Sequence, residues 1–396
     1  MSEASYTETR ERQELRKAVA DLAATYGREY FVHKARAGER TDELWDEAAK
    51  NGYLGVAVPE EYGGGGGGIG DLAAVCEELA AGGCPLLMMV VSPAICATVI
   101  ARYGTAAQKR HWLPGFAQGT TKMAFSITEP DAGSNSHRIT TRAHRDGDDW
   151  VLSGGKTFIS GVDEASHVLV VARREEGHAG TARPEGDARL EPALFIVPTD
   201  SPGLTYRPIE MEIVSPERQF TLFFDDVRLP VDALVGSEGA GLEQLFAGLN
   251  PERIMAAAFA TGLGRFALAR AVEYVKDRQV WNAPIGAHQA VQHPLAQSHI
   301  ELELARLMAQ KAAALYDAGE QMAAGEAANM AKYAAAEAVC DTVDRAVQVH
   351  GGNGIASEYG IGGLVVAARV NRIAPVSREM ILNFIAQFSL GLPKSY

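Results

Sequence analysis

The chain has 396 residues, 47% of them hydrophobic, which is enough to bury two or three cores and excludes an intrinsically disordered protein. The formal net charge of −13 argues against a protein that binds nucleic acid without regard to sequence, because such a protein needs a basic face to neutralise phosphates. The four cysteines show neither the spacing of a metal site nor that of a disulfide framework, so they are predicted to be free thiols.

The first residues, 1–14, are polar and charged and lack the apolar centre of a signal peptide. No apolar run in the sequence is expected to reach the length of a membrane span. We therefore expect a cytoplasmic protein without a membrane, nucleic-acid or metal partner.

The N-terminal part, residues 1–122, is rich in Ala, Glu and Leu at helical spacing, which predicts a helical domain. Six consecutive glycines, residues 63–68, break this pattern. They lack the Lys and Ser/Thr of a phosphate-binding P-loop and follow no predicted strand, so they are interpreted as a mobile surface loop.

Residues 123–235 consist of short β-branched and aromatic runs separated by turn residues. Examples are HVLVVA (167–172), ALFIVP (193–198) and FTLFF (220–224). They predict a middle antiparallel, barrel-like β domain. The segment 173–189, rich in Glu, Gly, Arg and Ala, is predicted to be an exposed loop within it.

Helical spacing returns in residues 236–396, for example at Leu268, Val272 and Val275. Long amphipathic helices need partners to cover their apolar stripes, so a helical bundle is expected. The predicted fold class is therefore α+β and multidomain, in the order helical, β, helical.

Two motifs in the β domain carry the first chemical signal. MAFSITEPDAGSNS (123–136) is a strand followed by a turn of small residues that expose backbone N–H groups, and WVLSGGKTFISG (150–161) is a Gly-Gly turn that leads into a strand. Each motif alone is typical of an ordinary β hairpin. Further motifs lie in the helical parts: PEEYGG (59–64), RQVWNAPI (278–285), HQAVQ (288–292) and VQVHGGNG (347–354).

Together, in this order, the motifs resemble those of the acyl-CoA dehydrogenase family of flavoproteins, and FDDVRLP (224–230) extends the resemblance over almost the whole chain. The resemblance implies FAD as cofactor and α,β-dehydrogenation of an acyl-CoA as reaction. It also implies electron-transferring flavoprotein as electron acceptor and a homotetramer or dimer as assembly.

The resemblance implies two groups of cofactor-binding residues. Around the flavin ring it places Phe125, Ile127, Thr128, Gly133, Ser134, Phe158, Ile159 and Ser160, with Ser134 also beside the thioester. On the pyrophosphate and adenosine half, partly from a neighbouring subunit, it places Arg278, Trp281, Gln289, Gln348, Gly351 and Gly352. The guanidinium fork of Arg278 suits two phosphates, whereas Trp281 stands where the family usually has Phe.

The reaction needs a carboxylate to remove the α proton. Most of the family carries it in a Tyr-Glu-Gly-Thr segment, and the matching stretch here, RIAPVSREM (372–380), has Pro375 at that position. Pro375 can neither accept a proton nor supply the backbone N–H that polarises the thioester carbonyl in the family. The Val376 amide, a local change of register, or the cofactor's ribityl hydroxyl alone are the alternatives. Ala374 replaces the usual Tyr and is expected to widen the substrate pocket for a branched or bulky acyl group.

In isovaleryl-CoA dehydrogenases the base lies instead on the helix after the β domain, before an arginine. The corresponding pair here is Glu252 and Arg253, which we predict to be the catalytic base and a substrate-binding residue. Asn250 and Pro251 are typical of a helix start, where the helix dipole favours the ionised carboxylate. Asn-Pro-Glu also begins helices without any catalytic role, and Glu379 is the alternative base.

Three other functions remain open on the sequence. They are the dehydrogenation of an acyl group on a carrier protein, an oxidase or nitroalkane-type activity, and the role of a non-catalytic subunit in a mixed tetramer. The presence of both groups of cofactor residues favours a self-sufficient enzyme.

Overall fold

The fold is described from a computed structural model that covers residues 8–174, 192–237 and 241–394. The segment predicted to be an exposed loop, 173–189, lies outside the described residues from position 175 on.

The N-terminal region is helical, as its apolar spacing predicts. Thr9 and Thr105 begin two of its helices by accepting a hydrogen bond from a first-turn amide. A π-helical segment, Ser92–Ala97, connects two short helices. The helices are α1 (Arg10–Ala37, interrupted at Gly27), α2 (Asp42–Lys50), α3 (Ile69–Ala81), α4 (Leu87–Val91), α5 (Thr98–Tyr103) and α6 (Ala106–Ala117).

The glycine run 63–68 lies at the surface, as predicted, and its backbone is hydrogen-bonded to residues 55–58. The Gly67 amide donates to the Val56 carbonyl at 2.9 Å. A Cβ at Gly64 would lie 2.1 Å from the Val58 carbonyl oxygen. The run is therefore a hydrogen-bonded turn in which the close approach of two backbones requires glycine.

The middle region is a seven-stranded sheet in the order β1-β4-β2-β3-β7-β6, with β5 paired to β4. The prediction of an antiparallel sheet is wrong for two pairs: β1 runs parallel to β4 with Met123 opposite His167, and β2 runs parallel to β4 with Arg142 opposite Arg173. Alternating hydrophobicity shows that a strand exists but not the direction of its neighbour. The strands are β1 (Met123–Ser126), β2 (Arg142–Asp146), β3 (Asp149–Ser160), β4 (His167–Arg174), β5 (Pro192–Pro198), β6 (Leu204–Ile209) and β7 (Gln219–Pro230).

The C-terminal region is a bundle whose three long helices pack through many buried alanines, which allow the helix axes to approach closely. The N-terminal helices share this core, because α3 packs on α7. The elements are α7 (Gly241–Asp277), the hairpin β8 (Gln279–Val280) and β9 (Ala283–Pro284), α8 (Gln289–Asp317), α9 (Gln321–His350), α10 (Leu364–Val370) and α11 (Arg378–Phe384).

Helix α7 corrects two sequence predictions. It begins at Gly241, so Asn250 and Pro251 lie inside it and do not start it. Pro251 has no N–H for the Ala247 carbonyl one turn earlier, and the Tyr316 hydroxyl of α8 donates to that carbonyl at 2.9 Å instead. The helix continues through the proline because a neighbouring helix supplies the missing donor.

The second correction concerns hydrophobic length. Within α7, an 18-residue window has a mean hydropathy of 1.2, so one helix is long and apolar enough to span a membrane by composition. The sequence was expected to contain no such run. However, 67% of that window is buried against other parts of the fold, as in the core helix of a bundle.

Candidate active site

A wall formed by the end of β1 and by β3 brings together the predicted ring-binding residues of the β domain. The Thr157 amide donates to the Thr128 carbonyl at 2.9 Å, and the Thr128 hydroxyl donates to the Thr157 carbonyl at 2.5 Å. These reciprocal bonds fix the two backbones side by side. They also use the only hydroxyl proton of Thr128, which leaves its oxygen to accept from a ligand.

A buried ion pair supports this wall from behind. The Lys156 ammonium donates to the Ile127 carbonyl at 2.9 Å and lies 3.0 Å from Glu129 Oε1. Burial alone would raise the pKa of Glu129, but the Lys156 charge and hydrogen bonds from Thr141 and Thr140 outweigh it and lower the pKa to about 2. Burial lowers the pKa of Lys156 to about 8, against the opposing attraction of Glu129.

The wall presents apolar and polar groups to the outside. Phe125 and Ile159 are buried, and Phe158 is 59% exposed at a left-handed φ of 57°. The Ser160 hydroxyl lies 2.9 Å from Gln219 Nε2, from which it accepts, and 3.1 Å from Gln219 Oε1, to which it can donate. Ser160 must therefore exchange this partner before it can bind a ligand.

The loop after β1 is open on the ligand side. Gly133 and Ser134 are both exposed. A Cβ at Gly133 would meet nothing within 4 Å. This chain alone does not require glycine there, so the space is available to a bound group.

These residues fit a flavin ring. An exposed aromatic side chain and buried apolar neighbours suit the ring faces, whereas the acceptor oxygen of Thr128 suits an N–H on its polar edge. The neutral, largely apolar lining matches a conjugated ring better than a phosphate.

The second predicted group lies at the other end of the bundle, where α7 and α9 meet. Tyr274 stacks on His350 with ring centroids 4.2 Å apart, and the amide of Asn353 donates to the Tyr274 hydroxyl at 3.1 Å. This contact brings the end of α7, which leads to Arg278, close to the end of α9, which carries Gln348.

The members of this second group are all exposed, and Trp281 is 87% exposed on the β8–β9 turn. Their side chains have no hydrogen-bond or ion-pair partner within residues 8–174, 192–237 and 241–394, and strand β9 of the hairpin contacts α7. The single chain therefore does not bring them to the β1–β3 wall. The residues concerned are Arg278, Trp281, Gln289, Gln348, Gly351 and Gly352.

Glu252 lies on α7 where this helix approaches the β domain. One turn earlier, a Cβ at Gly248 would lie 2.9 Å from Ile95 Cγ2, so the two backbones are close. The sulfur of Cys96, the residue after Ile95, lies 3.6 Å from the Ala124 carbonyl oxygen of β1. Burial and, after it, the charge of Glu252 raise the pKa of Cys96. The Ser92–Ala97 segment thus connects Glu252 to the strand that carries the wall.

The Glu252 side chain is half-buried in the fold. Burial raises its pKa to about 7, against the opposing effects of Arg253 and Lys332. Because Glu252 lies inside α7, the expected stabilisation of its anion by the helix start is wrong. The Arg253 guanidinium donates to the Leu249 carbonyl at 3.2 Å and to Asn250 Oδ1 at 3.3 Å, and burial lowers its pKa.

Lys332 is a residue of this site that the sequence interpretation missed. It lies on α9, is 2% exposed and donates to the Val376 carbonyl. Burial and then Arg253 lower its pKa to about 8, against the opposing effects of Glu252, Glu379 and Cys340. The available signal was a lysine on the same helical face as the buried alanines Ala328, Ala331 and Ala335.

The segment 372–380 lies over this cluster. Ala374 is exposed and Pro375 is half-buried. Ser377 begins α11 by accepting from the Met380 amide at 3.3 Å. Glu379 is exposed beside Arg378, 3.3 Å away, so the alternative base is on the outer side of the segment.

A flavin-compatible wall and a half-buried carboxylate whose pKa burial raises to about 7 suit a flavin-dependent oxidoreductase. Three family models match nearly the whole chain: the acyl-CoA dehydrogenase N-terminal domain over residues 9–120, the middle domain over 124–227 and the C-terminal domain over 239–390. The chain belongs to the acyl-CoA dehydrogenase family, whose members are FAD-dependent oxidoreductases, and the predicted three-domain fold is confirmed.

Relatives and solved structures agree with this assignment. Acyl-CoA dehydrogenase FadE12 of Mycobacterium tuberculosis is 64% identical over 396 residues, covering 100% of both chains. A glutaryl-CoA dehydrogenase from Mycobacterium smegmatis in complex with FADH2 is similar with a TM-score of 0.87 and 27% identity, over 98% of this chain and 96% of the other. A chain from the electron transferring flavoprotein structure of Acidaminococcus fermentans has a TM-score of 0.89 and 28% identity, over 98% and 99%.

Proposed function

We propose that this enzyme removes hydrogen from the α and β carbons of an acyl-CoA thioester to give the trans-2-enoyl-CoA, with Glu252 as the base. One observation carries the proposal: Glu252 lies on α7, which packs on the Ser92–Ala97 segment that in turn contacts strand β1 of the flavin wall, and burial raises its pKa to about 7. A base with a pKa near the working pH combines a useful ionised fraction with a strong affinity for the proton.

In this mechanism the α proton moves to a carboxylate oxygen of Glu252. Arg253, beside it, keeps a positive charge in the same half-buried region, which favours the negative charge that develops on the thioester oxygen. When bound, FAD supplies the acceptor for the hydride equivalent that leaves the β carbon. The residues of the β1–β3 wall would hold its ring and keep water away.

The exposed second group supports a homotetramer, or at least a dimer, in which one copy completes the cofactor site of another. Arg278 has no anionic partner among the residues that the structure describes, and its guanidinium suits a pyrophosphate. On α8, Ile300, Leu304 and Leu307 form an exposed apolar stripe at helical spacing, typical of a contact between copies. Sedimentation velocity of the wild type and of Leu304→Glu tests this, and a wild-type monomer with bound FAD would contradict it.

The proposed electron acceptor is an electron-transferring flavoprotein. The similarity to a chain of such a flavoprotein structure supports this. Rapid reoxidation of the substrate-reduced enzyme by electron-transferring flavoprotein, with slow reoxidation by oxygen, is the expected result. Rapid recovery with oxygen alone would indicate an oxidase.

The deciding experiment is anaerobic stopped-flow reduction of the purified flavoprotein by a panel of acyl-CoAs, measured as loss of flavin absorbance. We expect Glu252→Gln to lower the rate by about 10²–10⁴-fold. Glu379→Gln is the matched control, because it makes the same change on the exposed side of the segment 372–380, and it should reduce at the wild-type rate. Reduction of Glu252→Gln at the wild-type rate would refute the base assignment.

The same panel tests the acyl group. Ala374 is exposed on the segment that takes the place of the family's usual base, and its small side chain leaves room for a branched or bulky substrate. Straight-chain short acyl-CoAs that reduce the flavin faster than branched or cyclic ones would contradict this. Reduction only by carrier-protein thioesters would change the substrate class, and a purified protein without flavin would indicate a non-catalytic subunit.

A further inference from the structure

Lys332 is a buried cation that the family resemblance did not point to. Its side chain is 2% exposed, and its ammonium donates to the Val376 carbonyl. No carboxylate lies within 4.0 Å of its nitrogen in the part of the chain that the structure describes. A lysine that is buried without a contacting carboxylate costs stability, so its presence here calls for another explanation.

Lys332 lies between Glu252, the proposed base, and the segment 372–380, which has Pro375 where most of the family has its catalytic Glu. Lys332 and Gly325 lie on one face of α9, and a Cβ at Gly325 would lie 3.4 Å from Asn250 Oδ1 of α7. This face of α9 therefore packs beside the part of α7 that carries Glu252. The ammonium reaches the Val376 carbonyl on the other side.

The charges that act on Lys332 come from every element around it. Glu252 and Arg253 act on it from α7, the exposed Glu379 acts from α11, and the Cys340 thiol acts from α9 itself. Glu252 in turn is influenced by Arg253 and Lys332. Arg253 and Lys332 therefore both favour the ionised form of Glu252.

We propose that Lys332 is a positioning residue for the reaction: its ammonium anchors the turn 374–376 to α9 and supplies the positive charge that keeps Glu252 ionised. The proposal rests on the proposed function, because it assigns Lys332 a role through Glu252. The Ala374 amide donates to the Val370 carbonyl at 2.9 Å, whereas Pro375 has no N–H to donate, so Lys332 adds a tie to α9 on the far side of the proline.

The change to test is Lys332→Met, which keeps a long unbranched side chain and removes the positive charge. Loss of one nearby positive charge should raise the pH midpoint of Glu252 ionisation by about one pH unit. The ionised fraction at pH 7, and with it the rate of flavin reduction, should fall about fivefold and recover at higher pH. Lys332→Arg keeps the charge and should keep the wild-type midpoint.

Two measurements on the holoenzyme make the test specific. The first is the effect of Glu252→Gln on the free energy of unfolding across pH 5–9. It is measured once in the wild-type protein and once in the Lys332→Met protein. This effect reports the ionisation of Glu252 without any turnover. The second is the pH profile of kcat and KM for the best acyl-CoA. Anchoring of the turn predicts a higher KM in Lys332→Met, because the segment over the substrate is no longer held.

The matched control is Lys311→Met, the same change at an exposed position of α8. It should leave both pH profiles unchanged. A Lys332→Met protein that is folded and less active but keeps the wild-type midpoint in both measurements would overturn the proposal. If Glu252→Gln still reduces its flavin normally, the proposed function fails, whereas the stability measurement continues to decide whether Lys332 controls Glu252.

Discussion

Two regions of this enzyme each combine a buried lysine with a glutamate, and the two glutamates have opposite pKa shifts. In the β1–β3 wall, Lys156 lies 3.0 Å from Glu129. In the bundle, Lys332 influences Glu252 without an ion-pair contact among the described residues. Burial lowers the pKa of both lysines to about 8. The pKa of Glu129 is about 2 and that of Glu252 about 7.

The difference shows that burial alone does not decide the charge of a carboxylate. Glu129 accepts hydrogen bonds from the backbone amides of Thr140 and Thr141 and from the Lys156 ammonium. These three bonds stabilise its anion. Glu252 has only more distant charges, so burial dominates. The first arrangement fixes a wall, and the second leaves a carboxylate able to exchange a proton near neutral pH.

The largest effect on stability is expected from breaking the contacting pair. Lys156→Met leaves Glu129 buried without its cation and should lower the free energy of unfolding by about 3–5 kcal/mol. Denaturant unfolding measures this. The double variant with Glu129→Gln should be more stable than the single one, because no uncompensated charge remains. A single variant as stable as the wild type would show that the pair does not hold the wall.

The pH dependence of stability should have opposite signs for the two carboxylates. Glu129, with a pKa lowered from 4.5 to about 2, stabilises the fold above pH 4.5 and loses this effect as the pH falls towards 2. Glu252, with a pKa raised from 4.5 to about 7, destabilises the fold as the pH rises from 4.5 through 7.

Thermal unfolding of Gln variants across pH 3–8 checks these signs. Glu129→Gln should be less stable than the wild type at pH 7, and the deficit should shrink below pH 4.5. Glu252→Gln should match the wild type at pH 5 and exceed it at pH 8. The same sign for both variants would contradict the contrast between the two pairs.

A smaller effect is expected at the proline in α7. Tyr316→Phe removes the hydroxyl that donates to the Ala247 carbonyl and should cost about 1 kcal/mol. Tyr333→Phe on α9 is the control, since its hydroxyl has no hydrogen-bond partner within the described ranges, and it should be neutral. Equal effects of the two changes would show that α8 does not support α7 at this point.

The smallest effect on stability is expected at Trp281. Because its side chain is exposed, Trp281→Ala should change the free energy of unfolding by less than about 0.5 kcal/mol. In the proposed assembly it should nevertheless weaken FAD retention, measured as the flavin-to-protein ratio after gel filtration. Unchanged retention would remove Trp281 from the cofactor site.

Much of the fold could be predicted because its signals are local. Helical spacing and turn chemistry indicated the helical and β regions and their order, and the motifs indicated the family and its cofactor. The parallel pairing of β1, the hydrogen-bonded glycine run and the start of α7 could not be predicted in this way. Each depends on a partner distant in sequence, such as the Tyr316 hydroxyl that lets α7 pass through Pro251.

By itself, the sequence determined the class of enzyme, the absence of a carboxylate at Pro375 and the candidacy of Glu252. Only the tertiary structure decided the electrostatics of that candidate. The sequence indicated a carboxylate stabilised as an anion by a helix start, whereas burial within α7 raises its pKa to about 7. The tertiary structure also brings the charge of Lys332 to act on Glu252. Burial and the distances between charges arise from the packing of helices distant in sequence, so no local pattern contains them.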